Sequence, residues 1–199
     1  MSAKEKILER LRQNTREAYD MPDLTGLKPI TYSDPVEEFK TKTTTAGARL
    51  VEMKAGDDLN AIVREAYPDA KIVASNLAGV EAQLNPDTVG EAQELERVDV
   101  GVIAGAIGVA ENACIWIPQT MKEKAICFAS DQLVIVVHRA DIVNNMHEAY
   151  DRIAASKDYF AQYKFGTFIS GPSKTADIES ALVYGAQAAR GVTVVLADS

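Results

Sequence analysis

Two groups of side chains in this sequence could do chemistry. The first is the segment Phe-Ile-Ser-Gly-Pro-Ser-Lys-Thr-Ala-Asp-Ile-Glu at 168–179. An apolar β-type run over 165–169 meets a Gly-Pro break, and a helix-forming run over 178–186 follows. Read as strand, tight turn and helix start, this order gathers free backbone N–H groups and the positive end of a helix dipole at one point, where an anion binds. Gly171 and Pro172 would make the turn, and the hydroxyls of Ser173 and Thr175 would add donors. Asp177 and Glu179 would crowd an anion if they pointed inward, and are placed as helix caps. Ser, Thr and Asp are also ordinary capping residues and Gly-Pro an ordinary turn, so a ligand site and plain capping both fit.

The second group is Glu111-Asn112, set between Val109, Ala110, Ala113 and Cys114. A carboxylate in such apolar company is expected to be partly desolvated, which raises its pKa and suits it to acid–base work or nucleophilic attack. The alternative is a structural carboxylate satisfied by backbone N–H groups or an arginine. Upstream, Gly101, Gly105 and Gly108 have the spacing Gly-x-x-x-Gly-x-x-Gly, which is not the dinucleotide fingerprint; small residues there serve close packing or close ligand approach. His138 and His147 have no ligand spacing and fit surface or cap roles, and no Ser-His-Asp or Cys-His set can be assembled. Cys114 and Cys127 lie in apolar runs, read as small hydrophobes, and are too few for an iron–sulfur cluster or a metal site.

The elements that must position these groups follow from capping and periodicity. Residues 1–30 are expected to form an N-terminal helix, capped by Ser2 and running to about residue 19, and a breaker-rich linker with Pro22, Gly26 and Pro29. The helix could pack on its own domain or serve as an arm for a partner. Residues 31–199 read as one α/β domain. Asp34-Pro35 starts a helix ended by Gly47, and Asp57-Asp58 starts another that ends before Pro68. Asn144 or Asn145 starts a third, to about residue 155. Strands are expected over 48–53, 71–74, 98–103, 165–169 and 192–196. The apolar runs at 114–117, 125–129 and 133–137 are too closely spaced for intervening helices and read as hairpins or a meander. Trp116 is expected in the core. The fold class is therefore α/β, with a twisted, mostly parallel sheet flanked by helices and an antiparallel portion.

The hydrophobic fraction of 47% and charged fraction of 25% are those of a soluble globular chain. The formal charge of −8 argues against a nucleic-acid surface. Neither a secretory h-region nor an apolar span of about 20 residues is visible, so a cytoplasmic protein is expected.

Taken in order, the two groups resemble the lactate-utilization (LUD) domain family. Residues 171–179 match its C-terminal signature, approximately Gly-Pro-Ser-x-Thr-Ala-Asp-Ile-Glu, with Lys174 in the variable place. An apolar stretch carrying Gly185 and a closing strand at 192–196 continue the pattern. The family's central pattern is matched loosely over 101–113, with Glu111 on its Glu and Asn112-Ala113 where the family has Thr-Gly. A Leu-Pro-x-x-His motif of many members is absent from 117–133.

The resemblance implies a fold similar to that of sugar-phosphate isomerases and coenzyme A transferases, with a site at the strand ends. It implies an accessory protein of L-lactate or other 2-hydroxy-acid utilization, working beside iron–sulfur oxidoreductase subunits. Cofactors are expected in those partners and none in this chain. A small carboxylate or phosphate would sit between Glu111 with Asn112 and the turn formed by Gly171, Pro172, Ser173 and Thr175, flanked by Asp177 and Glu179. Two alternatives stay open: an independent enzyme of acyl/coenzyme A transfer or sugar-phosphate isomerisation using Glu111, and a non-catalytic assembly module. A homo-oligomer is compatible with all three.

Overall fold

Residues 2–15, 19–20, 22–23, 26–156, 165–178 and 181–198 are described by a computed structural model. In chain order the elements are α1 (Ala3–Asn14), α2 (Pro35–Thr45), β1 (Arg49–Met53), α3 (Leu59–Ala66), β2 (Val73–Ala74), a 3-10 turn (Ala92–Arg97), β3 (Val100–Ala104), β4 (Ile107–Val109), β5 (Ile115–Pro118), α4 (Ile126–Ala129), β6 (Gln132–His138), a second 3-10 turn (Arg139–Asp141), β7 (Ile142–Val143), α5 (Met146–Ala155), β8 (Gly166–Ile169), β9 (Lys174–Ile178), β10 (Ala181–Tyr184) and β11 (Gly191–Ala197).

The Val/Ile/Leu runs buried on both faces form an all-parallel five-stranded sheet, in the order β1-β11-β6-β3-β2. Strand alternation sorts its side chains. Val100, Val102, Val134 and Val195 face α3, where Val63 meets them. Ile103, Leu133, Ile135, Val137, Val192, Val194 and Leu196 face the other way, onto Phe39 of α2, Ile126 of α4 and Ile115 and Ile117 of β5.

A second sheet, β7-β4-β5-β8, lies over that second face. Here β5 runs antiparallel to both β4 and β8, and β4 runs parallel to β7. Its outer side carries Ile107, Val109, Trp116 and Phe168 against Ala149 and Ile153 of α5. Trp116 is buried, as its composition predicts. Gly108 lies where two elements close on it, since a Cβ there would stand 2.5 Å from Ile142 Cδ1. The glycines after residue 100 thus serve close packing.

The helix starts obey their caps. Asp34 Oδ1 accepts from Val36 N at 3.1 Å and Glu37 N at 3.0 Å, with Pro35 at the first position; Asp58 accepts from Asn60 N at 2.9 Å. Three sequence expectations are corrected. Residues 125–129 hold one helical turn, not a strand: Phe128 N and Ala129 N donate back to Ala125 O, and Ser130 Oγ closes the end on Ile126 O. The described part of the run over 178–186 is not a helix. Residues 174–178 and 181–184 form an antiparallel ribbon in which Val183 pairs with Thr175 and Tyr184 with Lys174. The meander reading of 114–137 also fails, because β5 and β6 belong to different sheets.

Candidate functional site

Three chain exits meet at one end of the second sheet. Gly108 of β4 pairs with Ile115 of β5, and Ile115 with Ile169 of β8, so the turn after β4 and the turn after β8 emerge side by side. Val109 pairs with Val143, which places the start of α5 at the same end. The contact between the two turns is direct: Ser170 Oγ donates to Asn112 O at 2.8 Å.

Glu111 sits in the first turn, exposed and not desolvated as its neighbours in sequence suggest. Its Oε2 accepts from Met146 N at 3.0 Å, and its own N–H donates to Asn144 O at 3.0 Å. The carboxylate thus satisfies the first free N–H of α5 and lies at the positive end of that helix. Asn145, buried, caps the same helix by accepting from Glu148 N at 3.0 Å, and its Nδ2 donates to Ile30 O at 2.8 Å. Asn144 Oδ1 accepts from Tyr32 N at 2.9 Å. The end of the linker is thereby strapped across the helix start. Asn112 Oδ1 accepts from Cys114 N at 3.1 Å, closing a small turn in which Ala113 takes φ +56. That is the position where the resembling family has glycine. Burial pushes the Cys114 thiol up; a hydrogen bond with Ser170 works against the shift, and the Glu111 charge adds to it.

In the second turn Gly171 takes φ +65, and a Cβ there would lie 2.7 Å from Ala46 O. Ser173 N is not free for an anion, because it donates to Ala189 O at 2.9 Å. Gly171, Pro172 and Ser173 line a cavity of about 420 Å³ together with Phe128, Leu133, Phe168, Ser170, Lys174, Gln187 and Val192. Glu111 and Asn112 touch this turn through Ser170 and are not among the lining residues. Thr175 lies on β9, paired with Val183. Asp177 is also on β9, and Glu179 falls outside the described residues.

Lys174 is the residue that sequence reasoning passed over. Among the described residues it is the one charged side chain lining the cavity. Its Nζ donates to Ala46 O, the capping carbonyl of α2, and stands 5.8 Å from the centre of the Tyr184 ring. No carboxylate pairs with it among the described residues. The hint available in the sequence was a lysine inside a run otherwise composed of small and acidic residues. Cys127 also lines the cavity, but burial pushes its thiol up to about 12, so it stays neutral. The site can therefore hold negative charge against an ammonium and serine hydroxyls, with apolar walls on the other sides.

The fold is similar to that of a solved structure, a DUF162 family protein from Deinococcus radiodurans, with a TM-score of 0.64, 18% identity, and coverage of 85% of this chain and 99% of that one. In sequence the chain is 26% identical over 199 residues to the lactate utilization protein C of an Exiguobacterium species, covering 91% of this chain and 85% of that protein. The LUD domain profile matches residues 80–197, which takes in both turns, the cavity and most of the two sheets, and on that match the chain belongs to the LUD domain family.

Proposed function

We propose that this chain serves the utilization of L-lactate or a related 2-hydroxy acid, and that it holds a small carboxylate anion in the cavity at the 170–174 turn. The family and the lactate utilization protein C relative support the metabolic role. The observation that carries the ligand is the charge of the cavity: among the described residues its lining has a single ionised group, the ammonium of Lys174. An ammonium has three donors, and among the described residues one is spent on Ala46 O, which leaves two for a carboxylate. Ser173 supplies a hydroxyl for a 2-hydroxy or 2-oxo group, Ser170, whose proton goes to Asn112 O, can only accept from a 2-hydroxy group, and Phe128, Leu133 and Val192 face the alkyl end. Oxidation of the bound acid needs an electron acceptor, a task we assign to iron–sulfur partner proteins. Glu111 then acts as a positioning residue, fixing the α5 start and the turn that Ser170 leans on.

Calorimetric titration of the full chain with L-lactate, pyruvate and inorganic phosphate tests this reading. One saturable site is expected for the carboxylates. At a hundred times its dissociation constant the ligand stabilises the fold by about 2.7 kcal/mol, seen as a raised unfolding midpoint. Lys174→Met is expected to weaken binding at least about tenfold, the loss of one charge-assisted contact. Saturable binding that Lys174→Met leaves unchanged would place the ligand elsewhere. No binding of any of the three would end the proposal.

A further inference from the structure

Helix α1 is well specified and unsupported. Ser2 and Glu5 form a capping box, with Glu5 N donating to Ser2 Oγ at 3.2 Å and Ser2 N to Glu5 Oε2 at 2.5 Å. Yet none of its residues is buried, and its apolar stripe, Ile7, Leu8 and Leu11, is 60%, 41% and 59% exposed. A helix of 12 residues with none of them buried is marginal in water, so a sequence that caps it this carefully has a surface in view. The far end of the linker is fixed: Ile30 and Tyr32 are bonded to Asn145 and Asn144. About 15 residues of sequence separate the two, and a chain of that length spans at most about 50 Å.

Charge selects the partner. Lys4, Lys6, Arg10 and Arg12 against Glu5 and Glu9 give residues 2–15 a charge of +2, so within a whole-chain charge of −8 the remainder carries −10. A second element also exposes apolar side chains. The β9–β10 ribbon has two strands only, and such a ribbon is marginal on its own. It exposes Leu182 by 58% and Tyr184 by 46%. In the single chain neither element covers the other. We propose that α1 is an arm that docks on a second copy of this chain, laying Ile7, Leu8 and Leu11 against Leu182 and Tyr184 of that copy. Exchange is reciprocal, so one two-fold axis generates both contacts. A lipid surface is the poorer fit: the stripe has three apolar side chains and no aromatic one.

Sedimentation equilibrium of the full chain, of the double variant Ile7→Glu/Leu11→Glu and of Leu182→Glu tests this. All three substituted side chains are exposed, so unchanged circular dichroism is expected. The unmodified chain should sediment as a dimer whose dissociation constant rises with salt, and each variant should raise that constant at least about tenfold. A monomeric unmodified chain overturns the proposal, as does a dimer that survives either variant. So does binding to vesicles containing phosphatidylserine that Ile7→Glu/Leu11→Glu abolishes, which would make α1 a membrane contact.

Discussion

Glu111 shows how a carboxylate with apolar neighbours in sequence can stand exposed at a helix start in space. Apolar neighbours along the chain do not desolvate it, because Val109, Ala110 and Ala113 point into the core while the turn carries the Glu side chain out to the α5 start. Glu111→Gln keeps the size and loses the charge that faces the helix terminus. It is expected to lower stability by about 1 kcal/mol in urea unfolding and to leave carboxylate affinity unchanged. If Glu111 instead accepted an acyl group, the unmodified protein would form an adduct cleaved by hydroxylamine, and Glu111→Gln would form none. Ala113 adds a second residue-scale lesson. Its left-handed φ of +56 would suit glycine better, but its methyl group is buried in the core cluster. The strain of about 1 kcal/mol is offset by a buried methyl of similar worth.

At the scale of elements, Asn145 joins three pieces of chain: it caps α5, holds Ile30 of the linker, and follows β7. Asn145→Ala removes a cap and leaves Ile30 O without this donor. A loss of about 2 kcal/mol is expected, with faster amide exchange at Tyr32 than at the β6 amides. Which elements the sequence reveals depends on where their stabilisation comes from. Helices with their own caps (Asp34-Pro35, Asp58, Asn145) and strands with continuous apolar runs (β3, β6, β11) are local and legible. The 178–186 run carries Glu179, Ala181, Leu182 and Ala186, which favour helix, yet β10 pairs with β9 and takes its conformation from that partner. Residues 125–129 mislead in the opposite sense: five apolar residues suit a strand, but the segment must turn back within four residues to enter β6. The cavity was not legible at all, since its walls come from 127–133, 168–174 and 187–192, and only the fold brings them together. The turn at 170–173 is legible as a break after β8, but strand β9 and not a helix follows it.

At the scale of the whole molecule, carboxylates fasten the ends and the edge of the main sheet. Glu52 at the end of β1 bonds Lys40 and Arg139, and Arg139 also reaches Asp198 just past β11. The Lys40 and Arg139 partners hold the Glu52 carboxyl below its usual range. Asp99 accepts from Ile72 N and Lys71 N, each at 2.8 Å, fixing edge strand β2 beside β3, and these bonds lower its pKa too. Both groups are more acidic in the folded chain than in the unfolded one, so the unfolded chain takes up protons first. Their stabilisation is present above about pH 4 and is lost as pH falls from there through the folded values. Urea midpoints measured from pH 7 down to pH 3 should fall along that limb, and less steeply in Glu52→Gln and Asp99→Asn.

The position of β11 sets the timetable of assembly. It is the last strand in chain order, yet it lies between β1 and β6, in register with both. During synthesis the first strand must wait for more than a hundred later residues before it gains its neighbour, and until residue 191 emerges β1 and β6 both present open edges. A ribosome that stops short of that point releases not a trimmed protein but two unjoined halves, each ready to pair with the wrong strand.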